Sequence, residues 1–371
     1  MLHLKVVGDM CFHDLWKKYE EPGYLFEKIA PHLEADILAG NLECVLVPDG
    51  TEVEEEAFPK ALYAHEKVAD DIKAQGFDVV WLANNHMMDL GDQGILDTKR
   101  LVEARGVLTA GAGANSKEAR ELKIVEKEGI KVGFLAYSED CPQLMRRRNP
   151  GPAYNRFEEM AEDVKAARDK VEVLMVVIHA DVEFVDYPSL PRQEYSRELA
   201  DLGADIIMEG HPHVPQGIEE WHGTLISYCQ GNFIFRLGDY LKGGSPWTAQ
   251  SFILDIEIAK EGVKGWDIIP YRMDNEERPI VLEGEELKEF KAHFKPLCDD
   301  LADPGKMKAH NADIVRRYLE ININALAGSY ERGGIEEVIQ KFLPRLYMDE
   351  NRFWAEEAAK MAKEYLNPWE D

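Results

Sequence analysis

With 371 residues, 45% of them hydrophobic and 30% charged, the chain has an ordinary globular composition and enough apolar material for one large core or two. Its formal net charge of -27 argues against nucleic acid or an anionic membrane surface as a general partner, because both would repel it. A small or oligomeric anionic substrate stays compatible, since a bound metal ion inverts the sign of a pocket locally.

The chain opens on Met1-Leu2-His3-Leu4-Lys5-Val6-Val7, a strand-like run that leads into Gly8-Asp9-Met10-Cys11-Phe12-His13. No leader-like stretch precedes it and no apolar run has membrane-spanning length, so a cytoplasmic protein without membrane contact is expected. Five scattered cysteines, Cys11, Cys44, Cys141, Cys229 and Cys298, fit a reducing compartment better than a disulfide framework. A helix is expected over 24–33 and a strand over 37–42, ending at Asn41-Leu42-Glu43. An acidic loop over 49–56 and a helix over 67–75 lead to a short buried strand over 79–83. That strand breaks into Asn84-Asn85-His86, then a turn with Asp89, Gly91 and Gly94, then a helical pattern over 95–105.

Further on, 107–113 reads as strand and turn, and 122–137 as a hairpin turning at Glu128-Gly129. The segment 141–152, with Arg146, Arg147 and Arg148, reads as a solvated loop. The β-branched run 171–178 ends at His179. A helix over 193–202 precedes a strand over 204–208 that ends in Glu209-Gly210-His211-Pro212-His213. A strand over 224–229 runs into Gln230-Gly231-Asn232-Phe233, and a second hairpin over 251–269 turns at Glu261-Gly262. From residue 283 the apolar spacing becomes helical, anchored by Phe290, Phe294, Tyr318, Phe342 and Trp354. The expectation is an α/β domain over 1–282 and an all-α extension over 283–371. The extension should pack on the domain or join two copies as a homo-oligomer, because its apolar stripes are too large to leave in water.

Polar residues close many of these strands: Asp9, Glu43, Asn85, His86, His179, His211 and His213. In α/β folds ligands bind at the carboxyl ends of strands. A mixture of carboxylate, amide oxygen and imidazole suits transition metals such as Mn, Fe, Zn or Co. Two ions about 3.5–4 Å apart can activate water and neutralise a phosphoryl or acyl group. Singly, each residue has a structural reading: Asp9 as a turn residue, Asn84 and Asn85 as left-handed turn formers, His-Pro-His as a rigid turn. Their joint placement carries the metal reading.

Gly8-Asp9, Asn41-Leu42-Glu43, Ala83-Asn84-Asn85-His86 with Asp89, Gly91, Gly94 and Thr98, Gly203-Ala204-Asp205 leading to Gly210-His211-Pro212-His213-Val214, and Gly231-Asn232-Phe233 occur in order over 4–270. Together they resemble the CapA-type poly-γ-glutamate capsule biosynthesis family, within the calcineurin-like metallophosphoesterase superfamily. The resemblance implies a sandwich of two mixed β-sheets flanked by helices, with a site for two divalent transition metal ions at the strand ends. It implies Asp9, Glu43 and His213 on one ion, and Glu43, Asn85, His179 and His211 on the other, with Glu43 bridging. His86 would face substrate as general acid or hydrogen-bond donor, beside Asn84, Asn232 and Glu183 as substrate-binding residues. The first motif departs from the superfamily's Asp-x-His: it reads Asp9-Met10-Cys11, leaving Cys11 or His13 to complete that position. After His179 stands Ala180-Asp181 in place of the family's usual Trp-Gly. The implied activity is a hydrolase, first a phosphoesterase using metal-activated water. Hydrolysis or formation of γ-glutamyl amides is the alternative, and a non-catalytic metallophosphoesterase-like scaffold is a third reading.

Overall fold

The structure, a computed structural model, describes residues 1–18, 21–54, 56–58, 60–139, 150–238, 244–342, 355–356 and 358–359. Cys141, Arg146, Arg147, Arg148 and Trp354 lie outside them. Among the described residues the main strands form an eight-stranded and a six-stranded sheet. The first runs in the order Pro279–Val281, Gly262–Met273, Gln250–Ala259, Leu2–Met10, Ile37–Leu42, Val79–Trp81, Leu108–Ala110, and Asn232–Ile234 also pairs with Leu2–Met10. The second runs Ile218–Trp221, Thr224–Ser227, Ile206–Gly210, Val173–His179, Ile130–Ser138, Lys123–Lys127. Both are mixed: the first is parallel from Leu2–Met10 out to Leu108–Ala110 and antiparallel on its other side, and the second is parallel through its centre with an antiparallel pair at each edge.

Period-two alternation decides what each strand buries. In the first strand Leu2, Leu4 and Val6 face a core shared with Phe134, Val173, Met175 and Ile206 of the second sheet. Val7 and Met10 join a second cluster with Val68, Ile72, Ile95 and Leu101 of the helices Lys67–Ala74 and Gly91–Ala104. On the far side, Leu174, Val176 and Ile207 meet Met160, Val164 and Leu199 from Phe157–Arg168 and Leu190–Asp201. The result is the expected sandwich, helices–sheet–sheet–helices, each apolar face covered. Among the described residues no helix is long and apolar enough to cross a membrane.

The stretch expected as one helix over 24–33 forms two short 3-10 turns, Tyr24–Phe26 and Ala30–His32. Pro31 has no backbone N–H and restricts the residue before it, so a regular helix does not propagate through that point. The helix Phe157–Arg168 and the strand Ile218–Trp221 have no counterpart in the expectations. The first buries two alanines, Ala161 and Ala167, beside Met160 and Val164, which leaves a thin apolar stripe, and the second reads Ile-Glu-Glu-Trp, an edge strand whose periodicity is masked by its charges.

After residue 282 the chain forms the helix Gly284–Asp299 and the stretch Pro304–Glu337, two helices separated by a kink at Gly333 and Gly334, where the backbone is not helical. Phe290, Phe294 and Leu297 enter the core between the sheets, where the Phe294 ring lies 5.1 Å from Phe252 and 5.5 Å from Phe290. The expected boundary at 282 therefore separates two stretches that share one core. Phe290 is fully buried, so Phe290→Ala is expected to cost about 3–5 kcal/mol, read as a lower urea midpoint of the whole chain. An unchanged midpoint would detach this helix from the core.

Candidate metal centre

Parallel strands end on a common edge, and register decides which ends are level. Asp9 pairs with Asn41 on one side and Asn232 on the other. His179 is level with Ser138 and Gly210. The pairing of the first two strands slips between Val7 and Asp9, at Gly8, where a Cβ would lie 1.9 Å from the Gly231 carbonyl oxygen. Only glycine lets the chain at 231 come that close. Gly210 plays a similar part where the sheets meet: a Cβ there would stand 3.3 Å from Asp9 Oδ1 and 3.4 Å from His179 Nδ1.

Beyond Gly210 the backbone turns through His211 and His213, both left-handed, with φ of 98° and 59°. Such conformations are costly for residues with a Cβ and persist only where the surroundings hold them. Here they bring both imidazoles to the strand ends. Ligand atoms gather in three groups, each spanning no more than 4.8 Å: Asp9, Glu43 and His213; Glu43, His179 and His211; Glu183, His211 and His213. Glu43, fully buried, belongs to the first two, with Oε1 at 3.6 Å from His179 Nε2 and 3.7 Å from His213 Nε2. Asn85 Oδ1 lies 3.0 Å from His179 Nε2. All six ligands that the resemblance implies are thus in one place.

His86 is in none of these groups. Its Nδ1 lies 2.8 Å from Asp89 Oδ2, an oxygen that also accepts the Leu62 N–H at 2.8 Å.

Four of the expected roles are corrected. Cys11 is buried in the apolar cluster beside Cys44, and burial together with that neighbour pushes its thiol well above the usual range. It is a core thiol and not a donor. His13 turns to Tyr63, its Nδ1 3.0 Å from the carbonyl oxygen and 3.1 Å from the N–H. Asn84 and Asn232 were expected to meet substrate, yet both are fully buried. Asn84 Nδ2 donates to Asn41 Oδ1 at 3.0 Å and to the Leu42 carbonyl at 2.8 Å, while its Oδ1 accepts the His86 N–H at 3.2 Å. Asn232 Oδ1 lies 2.8 Å from His213 Nδ1 and its Nδ2 donates to the carbonyls of His213 and Thr248 at 3.3 and 3.0 Å. Asn84 thus holds Asn41, and Asn232 orients the His213 ring, leaving Nε2 as the lone-pair nitrogen when Nδ1 donates.

Two residues of the site were given no role from the sequence. Asn41 Nδ2 is 2.8 Å from Asp9 Oδ1 and 3.3 Å from both Glu43 Oε2 and His179 Nδ1, so one amide ties three ligands across two sheets. Its signal was its spacing, two before Glu43 at a strand end. Glu139 Oε1 lies 3.5 Å from His211 Nε2, and its signal was its place directly after the strand level with His179.

Burial pushes the Asp9 carboxyl up, with His213 and Asn41 opposing. It pushes Glu43 well up, and the charges of Asp9 and Glu183 add to it. Burial also holds His179 well below the ordinary range, reinforced by His211 and His213, and takes His211 down to about 4 against the opposing pull of Glu183. Neutral imidazoles beside carboxylates that resist ionisation are a set that a divalent cation would relieve on every count. Asp9 Oδ2, Glu43 Oε1 and His211 Nδ1 are moreover buried with no hydrogen-bond partner, at a cost of about 1–3 kcal/mol each. The donor set fits a metal.

The family described as "Bacterial capsule synthesis protein PGA_cap" matches residues 3–237. The "Capsule biosynthesis protein CapA" of Bacillus anthracis is 29% identical over 258 residues, 67% of this chain and 61% of that protein. The chain thus spans less than two thirds of that relative's length. The "PGA biosynthesis protein CapA" of Bacillus subtilis (strain 168) is 26% identical over 300 residues, 78% of this chain and 76% of that one. Among solved structures, a hypothetical protein from Thermus thermophilus aligns with a TM-score of 0.46 at 15% identity, over 73% of this chain and 99% of that one. A putative 5'-nucleotidase from Staphylococcus aureus aligns with a TM-score of 0.47 at 14% identity, over 78% and 57%.

The hub position of Asn41 has a measurable consequence. Asn41→Ala removes no ligand, yet should weaken metal binding by about 10–100-fold, as loss of ligand-orienting partners does. Calorimetric titration of the full chain with Mn2+ reads the change. Parent affinity in the variant would mean that Asn41 orients nothing that the metal needs.

Proposed function

The chain belongs to the bacterial capsule synthesis protein PGA_cap family, and on that premise we propose that it is a metal-dependent hydrolase with two divalent transition metal ions at the strand ends. The observation that carries this reading is the pair of ligand groups sharing buried Glu43, with Asp9 Oδ2, Glu43 Oε1 and His211 Nδ1 left without hydrogen-bond partners. Asp9, Glu43 and His213 would hold one ion; Glu43, Asn85, His179 and His211 would hold the other. When bound, such a pair supplies an activated water and neutralises charge on the group under attack.

The remaining chemistry falls to the chain. His86 keeps a side chain 26% exposed, whereas those of His179 and His213 are 1% and 4% exposed, which suits a group that meets substrate. Asp89 accepts the Nδ1–H of His86 and orients the ring, leaving Nε2 to carry a proton to the leaving-group oxygen.

We favour a phosphoester substrate, whose developing charge this arrangement would meet. A γ-glutamyl amide is the second reading, motivated by relatives whose names refer to capsule and PGA biosynthesis. There the leaving group is an amine, and the proton from His86 serves it equally. Against a non-catalytic scaffold stands the cost of keeping unpartnered carboxylate oxygens buried.

The test sets His86→Asn beside His211→Ala, each assayed for bound metal and for rate on a panel of phosphoesters and γ-glutamyl amides. His86→Asn should retain both metals while turnover falls roughly 10²–10⁴-fold. His211→Ala should lose metal and turnover together. A parent chain that binds two ions and turns over nothing on the panel would leave the scaffold reading standing.

A further inference from the structure

The ion position nearest the first strand is short of donors. The first motif has no histidine two residues after Asp9, the Cys11 thiol lies in the apolar cluster beside Cys44, and His13 is bonded to Tyr63. That leaves Asp9, Glu43 and His213. We propose that Glu183 is a further ligand of this two-ion centre, a carboxylate brought in from outside the strand ends beside His213 of the short position and His211 of its neighbour. The proposal rests on the metal-dependent reading above.

Three observations support it. A Glu183 carboxylate oxygen lies within 4.8 Å of ligand nitrogens of both His211 and His213. Its charge also acts on Glu43, where it follows Asp9 among the neighbouring carboxylates, and on His211. Glu183 therefore belongs to the same cluster as the strand-end ligands.

The second observation is how the segment is held. Asp181 and Phe184 on either side are left-handed, with φ of 101° and 63°. The Phe184 N–H donates to the Pro212 carbonyl at 2.9 Å, which fastens the residue after Glu183 to the turn between the two histidines. Asp181 Oδ2 accepts the Ser189 N–H at 2.8 Å, and Gln216 Nε2 donates to the Val185 carbonyl at 2.8 Å. From the C-terminal helix, Ile314 and Val315 pack on Val182, the His310 ring stacks on Tyr187 at 3.5 Å, and Asn311 Oδ1 accepts the Leu190 N–H at 3.0 Å. A backbone held from both sides in costly conformations presents one geometry, which is what a ligand position needs.

The third is charge. As a contact to an anionic substrate, Glu183 would repel it. As a ligand it adds a third carboxylate to Asp9 and Glu43, and two divalent ions still leave the centre net positive.

Glu183→Gln keeps the shape and removes the charge. In the full chain we expect the parent to bind two Mn2+ ions by calorimetry. The variant should keep one site at parent affinity and weaken the other by more than about 10-fold, the smallest loss seen even for outer partners of a ligand. The visible absorption of the Co2+ form should change with it, while the metal-free melting temperature stays at the parent value. If that temperature falls, Glu183→Asp decides: binding tighter than in the Gln variant supports the assignment, and binding no tighter overturns it. Two ions bound with parent affinity and parent spectrum in Glu183→Gln also overturn it while leaving the metal reading intact. A parent that binds no ion removes both.

Discussion

Two carboxylates, Asp9 and Glu43, are buried side by side where the sheets meet, and much of the architecture around the strand ends answers to that constraint. Like charges withdrawn from water are costly unless something of opposite sign or strong hydrogen-bonding capacity stands beside them. Within the chain the answer is incomplete. Asn41 donates to both carboxylates, but one oxygen of each keeps no partner. Burial and the neighbouring histidines hold His179 and His211 neutral, so those two do not supply the missing positive charge. Asparagine, histidine and carboxylate together form a site whose demands a divalent cation satisfies.

Holding those groups in place requires backbone that would be unfavourable elsewhere. His211, His213, Asp181 and Phe184 all adopt left-handed conformations, and Gly8 and Gly210 open gaps that a Cβ would crowd. Strain of this kind is sustained by packing on either side. The two sheets supply it from beneath, through a continuous apolar layer between their inner faces. Amide side chains supply it at the rim: Asn84 for Asn41, Asn232 for His213.

The C-terminal helices have a larger part than their position outside the matched family region, residues 3–237, suggests. The first fills the inter-sheet core with Phe290 and Phe294. The second backs the segment that carries Glu183 and Phe184 towards the histidines. Core and site are therefore linked to a part of the chain that lies beyond the matched family region.

Much of this was legible in the sequence. Apolar alternation followed by an abrupt polar residue marked the ends of the strands at Asp9, Glu43, Asn85, His179 and His211; the hairpin at Glu128-Gly129 forms as its turn residues predict, and the second turns one residue earlier than expected, at Lys260-Glu261, with Gly262 already paired to Ala259. Period and turn chemistry are local, so one stretch of chain contains them. The roles of the remaining polar residues depend on partners far away in sequence. Asn84 bonds to a residue 43 positions earlier and Asn232 to one 19 earlier, so nothing local distinguishes an orienting amide from one that faces substrate. The family resemblance offered Cys11 or His13 as donors, but a register shift between Asp9 and Met10 against the strand Asn232–Ile234 accompanies the turn of the chain away from the site. Asn41 and Glu183 acquire their meaning only when two sheets and a C-terminal helix come together. Sequence determined which residues end strands; tertiary structure decided which of those ends meet, because register and packing are properties of pairs of segments and not of either one.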